Sequence, residues 1–407
     1  MVIACIDFSN NGHRLHLMRS VIKSVLETGN TAICITNETD SIKDWIQENH
    51  PEHCSNLICH DYTSTSFKKI RWSSRVNDVI SALHYWRAYN NVLRSIEREH
   101  RLNIDIAVLH YIDVFLACLL PVFLQKMVFR YRWAGLYLHP RYLRIYKHLG
   151  IQHRKSTIRD IDHLLTSERC VGVGVFDNGI QKALAYRLNK EVTLIPDITD
   201  VSTDNQSYDL VIEIKKAAKG NIIIGSIGMS YYSGTVDLIK LAKAAEGKDF
   251  FFVFCGAFDE ESYNHIPADA DKELLCNFRK NPPANCLWIE GYLKDEFEYN
   301  AVFNSLDIIY MMYPEHYTSS NRLTKAAFFD KQVLAANQFC VGENVLRYEL
   351  GETATPGNIP QQLEKLKILA DKIRSGSASS GKRMAYFEMN NEESFQRQFN
   401  CLLNINR

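Results

Sequence analysis

Short runs of β-branched and aliphatic residues alternate with stretches of helical periodicity along the whole chain, a pattern that restricts the fold to parallel sheets wrapped by helices. Val2–Phe8 reads as a strand, and His13–Glu27 as a helix with Leu15, Met18, Val21, Ile22 and Val25 on one face. Thr31–Thr36 and Leu57–His60 read as further strands, and Asn77–Glu99 as a long amphipathic helix. Ile104–His110 is the next strand, leading into an apolar helix over Val114–Leu124. An extended stretch Met127–Tyr137, a helix near Ile158–Leu165, strand Val171–Val175, helix Ile180–Leu188 and strand Glu191–Ile195 complete this half. Polar Thr199–Ser207 reads as a hinge. The alternation then restarts, with strands at Asn221–Ile227, Phe250–Cys255, Cys286–Ile289, Ile308–Met312 and Val333–Ala336. Helices are expected over Gly234–Ala245, Glu296–Ser305, Ser320–Phe329, Val345–Leu350 and Pro360–Arg374. A small-residue linker, Ser375–Gly381, precedes a terminal helix Met384–Leu403.

A chain of 407 residues exceeds the roughly 250–300 at which single cores stop growing. The expected division is therefore a Rossmann-like domain over 1–197, a second over 198–383, and a terminal helix, 384–407, returning to the first domain. The expected fold class is α/β, two doubly wound domains facing across an interdomain cleft. Lys+Arg and Asp+Glu balance at 47 each, so no overall field draws nucleic acid to the surface. The 11 cysteines are scattered singly without a CxxC pair, which points to reduced thiols in a cytoplasmic protein and away from a disulfide frame or a metal knuckle. Met1 runs directly into apolar Val2–Ile6, unlike a signal peptide. The Val114–Leu124 stretch is about half of the roughly 20 residues a membrane span requires.

In open parallel sheets ligands bind beyond the carboxyl ends of the strands, so the loops there carry the candidate chemistry. Ser9-Asn10-Asn11-Gly12-His13 follows the first strand; Gly12 permits close backbone approach and the helix start offers N–H groups, although an ordinary capped loop fits equally. His110 and Asp113 close another strand, where together they can hold a hydroxyl or steer a proton. His139 sits at a further strand end of the same sheet. In the second half, Gly225, Ser226 and Gly228 belong to a small-residue stretch that admits a phosphate. Tyr317, Thr318, Ser319, Ser320, Asn321, Arg322 and Lys325 surround a helix start, a ready anion site, with the two cations three residues apart on one face. Simple N-capping with solvated cations is the alternative reading.

The segment Lys126–Arg159 holds nine Lys and Arg residues, no Asp or Glu, and five interleaved Tyr and Trp. Such a local field suggests an acidic partner: an anionic membrane surface, a lipid-linked diphosphate or an anionic glycan. A solvated helix face is the other reading. Val171-Gly172-Val173-Gly174 lacks a correctly placed third glycine and reads as a strand, not a dinucleotide motif.

The element order resembles the GT-B glycosyltransferases, and within them the family 4 group that builds bacterial surface glycans. Asp105–Asp113 is similar to the family's strand ending in His; Thr193-Leu194-Ile195-Pro196-Asp197 resembles its interdomain junction. Leu287–Leu293, with Tyr299, Phe303, Leu306 and Asp307 after it, resembles its glycine loop, helix and following strand, and Leu323–Ala336 with Gly342–Gly351 its donor region. The resemblance implies that Asn11, Gly12, His13 and His139 meet the acceptor and the transferred sugar, with His110 and Asp113 at the reaction. It also implies that Gly291, Tyr292 and Leu293 approach the nucleobase, and Ser319, Ser320 and Asn321 the diphosphate. Two family Glu residues eight apart are matched here by Tyr317 and Lys325, and two family cations fall near Ser226 and Ser233, so Arg322 and Lys325 are expected to replace those cations.

The implied activity is a metal-independent, retaining transfer of a hexosyl group from a UDP- or GDP-sugar to a glycan or lipid-linked hydroxyl, in surface polysaccharide or glycolipid biosynthesis. It would proceed in the cytoplasm or on the inner face of the membrane, with no cofactor beyond the sugar donor. Two other readings stand beside it, a non-catalytic nucleotide- or glycan-binding relative and a nucleotide-sugar epimerase.

Overall fold

The computed structural model describes residues 1–7, 13–37, 39–62, 74–264, 266–376 and 381–405. The chain divides into two compact units, Met1–Ile198 with Asn391–Arg407, and Thr199–Asn390. Unit 1 is built on seven strands: β1 (Val2–Ile6), β2 (Thr31–Thr36), β3 (Leu57–Asp61), β4 (Ile106–Leu109), β5 (Arg132–Tyr137), β6 (Cys170–Val175) and β7 (Thr193–Leu194). They form one sheet in the order β3-β2-β1-β4-β5-β6-β7, with every pairing parallel.

Parallel sheets require cover on both faces, which is why β1, β2 and β4 are almost wholly apolar and buried. One face packs on the helix Ser74–His100 through Trp86, Tyr89 and Leu93, the other on the helix His13–Glu27 through Met18, Val21 and Val25. The second face also receives the last helix, Glu392–Leu403, through Phe395, Phe399 and Leu402. A Cβ placed on Gly172 would lie 2.2 Å from the Leu402 carbonyl oxygen, so the glycine in β6 serves the docking of this helix. That gives the Val-Gly-Val-Gly run a packing role within a strand.

Unit 2 repeats the plan with β8 (Ile222–Met229), β9 (Phe250–Phe258), β10 (Cys286–Glu290), β11 (Ile308–Met311), β12 (Gln332–Ala336) and β13 (Gly351–Ala354), all parallel in the order β10-β9-β8-β11-β12-β13. One core holds Ile224, Phe252, Phe254, Tyr310 and Leu366, the other Ile227, Val253, Ile309, Leu323 and Val345. The described residues thus carry two parallel sheets with helices on both faces, the expected α/β class.

Several local expectations change. Val114–Leu124 is not a helix: a 3-10 turn (Ile112–Phe115) is followed by Leu119 at φ +64°, and Pro121 caps the helix Val122–Val128. Proline has no N–H to place inside a helix, so it begins one. Ile158–Leu165 is not an α-helix: Asp160 accepts from the Thr157 N–H at 2.8 Å and Asp162 from Ser156 and Arg187, and only a 3-10 turn, His163–Thr166, follows. The last helical stretch is two helices, Gly381–Met389 and Glu392–Leu403, separated where the Asn391 side chain accepts from the Ser394 N–H and starts a new one. Val345–Leu350 is replaced by a longer helix, Phe339–Arg347.

Gly172→Ala is expected to destabilise unit 1 by about 1–3 kcal/mol, because the added methyl meets backbone, which cannot rotate away. Native-state hydrogen exchange would register it as lost protection in β5 and β6, with β8 and β11 unchanged.

Candidate functional site

Each sheet has one place where strand order reverses. In unit 1 it lies between β1 and β4, since the chain first moves from β1 outward to β3 and then returns to the other side of β1. The residues at these two strand ends are Asp7 and His110, 2% and 1% exposed. The His110 N–H donates to the Ile6 carbonyl at 3.0 Å, which fixes the histidine beside the end of β1. Its Nδ1 lies 3.8 Å from Asp7 Oδ2, and among the described residues neither ring nitrogen has a hydrogen-bond partner. Burial, reinforced by the nearby Arg14 guanidinium, lowers the His110 pKa to about 3. The imidazole is therefore neutral at physiological pH, offering one donor and one acceptor, a pair suited to an uncharged hydroxyl.

Arg14 lines the same strand ends, 3.4 Å from Asp7 Oδ1 and 4.9 Å over the Tyr111 ring, and Tyr111 meets the exposed His139 ring edge-on at 5.8 Å. Asp113 behaves differently from His110. Its two oxygens accept the Leu138 and His139 N–H groups at 3.0 and 2.8 Å, clamping the turn after β4 to the end of β5. Burial pushes its pKa up to about 6 despite those bonds. Its geometry is that of a positioning group for His139. Asn11 and Gly12 lie outside the described residues; His13 opens its helix.

In unit 2 the reversal lies between β8 and β11. The strand ends are packed backbone to backbone: a Cβ on Gly234 would sit 2.3 Å from the Met312 carbonyl oxygen, and one on Gly256 2.8 Å from the Gly228 nitrogen. Both glycines have positive φ, as does Gly228 at +85°. Ser226 is buried, and its Oγ has no partner among the described residues. Gly225, by contrast, is occupied below by Leu306, against which a Cβ would clash at 2.7 Å.

The helix Asn321–Phe328 begins beside this reversal, with extended Ser320 as N-cap and no side-chain cap bond. Half-buried Arg322 reaches Tyr313 Oη at 3.4 Å, and its Nη2 lies 3.0 Å from where a Gly228 Cβ would be. Arg322, Gly228 and the Ser320 start thus share one locale. Ser319 is buried with its carbonyl 2.7 Å from His316 Nε2. Lys325 does not share that locale's openness: it is 3% exposed, donates to Asn300, lies 3.4 Å from Glu296 and stacks its ammonium 4.3 Å over Tyr299. Tyr317 packs on Phe339 with ring centres 4.3 Å apart, and half-buried Thr318 lies in the same loop. Gly291, at φ +144° with open space around it, precedes Tyr292, 94% exposed, and Leu293, which packs on the core.

Residues not singled out from sequence are Asp7, Arg14, Tyr111, Tyr313 and Phe339. Asp7 carried a signal, a carboxylate directly ending an apolar strand. Phe339, at φ +55°, carried none, since a bulky residue in that strained region is invisible in a sequence.

Four of the nine cations of the basic segment are ion-paired within unit 1. Lys126 pairs with Glu168, Arg130 with Glu97, Arg154 with Asp160, and buried Arg144 with Asp177. No group of His, Cys, Asp and Glu residues that could hold a metal is present among the described residues, and no helix among them is long and apolar enough to cross a membrane.

No protein-family model and no curated protein sequence matches the chain. Solved structures do. HepE from Anabaena in complex with UDP-glucose superposes with TM-score 0.62 at 14% identity, covering 99% of both chains. Sucrose-phosphate synthase from Thermosynechococcus elongatus gives 0.66 at 15%, covering 99% of this chain and 98% of that one. MnaA from S. aureus with UDP gives 0.58 at 11%, covering 99% and 97%. At such identities the likeness establishes the fold, that of the GT-B glycosyltransferases.

Asp113 is expected to titrate near pH 6 in a carbon-13 carboxyl experiment. Because its folded pKa lies above the ordinary 3.8, its ionisation costs stability progressively as pH rises from about 4 to 6. Asp113→Asn removes that pH dependence and, with one acceptor oxygen for two N–H donors, costs about 1–2 kcal/mol.

Proposed function

We propose that the protein transfers a glycosyl group from a nucleotide sugar to a hydroxyl acceptor, with unit 2 binding the nucleotide diphosphate and unit 1 the transferred sugar and acceptor. The observation that carries this reading is the chemistry at the two strand-order reversals. A buried neutral histidine whose ring nitrogens have no partner among the described residues ends one sheet's β4, and a half-buried guanidinium beside a helix start whose Ser320 makes no side-chain cap bond, with tightly packed glycines, borders the other's β8. Negative charge develops on the departing diphosphate, where preorganised N–H groups and a cation stabilise the transition state most. His110 then holds a sugar hydroxyl, and Asp113 fixes the backbone that presents His139.

The uridine nucleotides bound in HepE and MnaA favour a UDP-sugar as donor. Transfer without a metal, retention at the anomeric carbon, and a glycan or lipid-linked acceptor in surface polysaccharide or glycolipid synthesis complete the proposal; they follow the resemblance to family 4. In this scheme Arg322 is the cation that meets phosphate, and Lys325 braces the helix from within. A binding protein without turnover is favoured by one observation: Tyr317 and Lys325, standing where that family has its two Glu residues, are a stacked ring and a buried amine, neither able to act as a carboxylate.

UDP titrated by calorimetry tests the donor assignment. Arg322→Ala is expected to weaken UDP about tenfold or more, the loss of a charge-assisted bond, while the protein stays folded by circular dichroism in its absence. His110→Ala is expected to leave UDP affinity intact and to lower turnover of a UDP-sugar roughly 10–100-fold. Equal affinity in Arg322→Ala would remove the diphosphate site from this helix. UDP binding with no transfer or hydrolysis across a panel of UDP-sugars and acceptors would select the non-catalytic reading, and sugar interconversion without acceptor an epimerase.

A further inference from the structure

From the interior strand β1 out to the free edge of the unit 1 sheet at β3, three cysteines stand in register across adjacent parallel strands. Cys5 on β1 is paired with Cys34 on β2, and Cys34 with Cys59 on β3. In-register residues of parallel strands point to the same face about 4.8 Å apart, within the Cα separation a disulfide spans. The Cys34 and Cys59 side chains therefore lie side by side on one face of the sheet.

Exposure then separates the three. Cys5 and Cys34 are completely buried, whereas Cys59 is half-buried and lines an open cavity of about 670 Å³ with Lys43, Gln47, Pro51, Cys54 and His100. That is the size of a small-molecule pocket. The neighbouring Cys34 side chain and the charge of Lys43 both favour the Cys59 thiolate, and its pKa is lowered in spite of burial. Cys5 and Cys34 are pushed upward, chiefly by burial for the first and by the neighbouring Cys59 for the second. The edge therefore presents a half-buried thiol facing the cavity with a fully buried thiol in register behind it.

We infer that Cys59 and Cys34 form a reversible dithiol site that is oxidised by low-molecular-weight, carboxylate-bearing disulfides entering the cavity beside Lys43. The Cys59 thiolate attacks one sulfur of RSSR, whose S–S bond breaks; a Cys59–S–SR mixed disulfide forms and RS⁻ leaves, taking a proton as RSH. Cys34 then loses its proton and attacks the Cys59 sulfur, forming the Cys34–Cys59 bond and releasing the second RSH. Two electrons pass from the two thiols to RSSR. A bond between directly opposed positions of parallel strands departs from relaxed disulfide geometry, which makes it the labile, easily reversed kind. The cavity also holds Cys54, an exposed thiol that competes for the same reagent.

The test uses the full-length reduced chain, oxidised glutathione as the probe, and peptide mapping by mass spectrometry. The expected product joins the peptides containing Cys34 and Cys59, reverts with dithiothreitol, and forms about tenfold or more faster than any adduct at exposed Cys276 or Cys401. Cys34→Ala is expected to stall the reaction as a glutathione adduct on Cys59, with circular dichroism confirming that this variant is folded. The result from the native chain needs no variant. Modification confined to Cys54, Cys276 or Cys401, a Cys54–Cys59 link, or a lasting Cys59 adduct with no bond to Cys34 in the native chain would each overturn the proposal.

Discussion

The placement of the first strand of each sheet in the interior governs everything else in this molecule. Right-handed crossovers allow a parallel sheet to grow from its first strand in one direction, with helices on one face. When the chain returns to the other side of that strand, the next helices cover the opposite face. At the carboxyl ends of the two central strands the connections part in opposite directions, leaving backbone and strand-end side chains without cover from a crossover. Unit 1 meets this constraint at Asp7 and His110, unit 2 at Gly228 and Met312. In the second unit the ends are drawn together so closely that only glycine fits at 228, 234 and 256, where side chains would strike backbone or occupy strained φ. One reversal is lined by closely packed backbone and the other by a buried imidazole, which under the proposed activity would divide the work between amide donors and a neutral hydroxyl partner.

Burial sorts the charged candidates into different roles. His110 loses its proton affinity because an imidazolium there would be cut off from water beside the Arg14 guanidinium, and so becomes a neutral hydrogen-bonding group. Lys325 keeps company with Asn300, Glu296 and the Tyr299 ring, and burial lowers its pKa as well. An amine so enclosed has spent its donors on the protein. Arg322, three residues earlier on the same helix, keeps more surface and offers a planar fork of donors. The pair expected to act together on one ligand is thus divided by a single helical turn, one cation facing the core and the other the strand ends.

Much of the architecture was written in the alternation of apolar runs and helical periodicity, because a strand buried on both faces has to be apolar throughout and a covering helix has to carry a stripe. The strand end at His110 was legible for the same reason: it is a polar residue placed where the apolar pattern stops. What failed was local. Val114–Leu124 has the composition of a buried helix, and only Pro121 and the left-handed Leu119 divide it. Ile158–Leu165 is held open by Asp160 and Asp162 through partners as distant as Arg187, which no window of neighbouring residues reveals. The helices Asp40–Asn49, Asp209–Ala218 and Asp269–Lys280 were passed over because their exposed faces dilute the apolar stripe. The basic segment has partners that its own residues do not reveal. Its residues contain no acid, yet Glu97, Asp160, Glu168 and Asp177 arrive from outside it and neutralise four of its cations.

The departure from the resembling family's Glu pair has a physical shape of its own. A carboxylate at position 317 or 325 would need hydrogen-bond donors or a cation to stand the loss of water. Position 325 lies inside the core of unit 2 against Asn300 and Glu296, where a second acid would face a first. A lysine there satisfies Glu296 and caps the Tyr299 ring. Position 317 is backed by Phe339, whose strained left-handed backbone sets the ring 4.3 Å from Tyr317. An aromatic pair gains contact energy from that proximity, whereas a carboxylate against the same ring would gain none. The two substitutions are therefore consistent with each other and with their neighbours. Under the proposed activity, recognition of sugar hydroxyls shifts from carboxylates in unit 2 toward ring faces there and toward the neutral imidazole of unit 1.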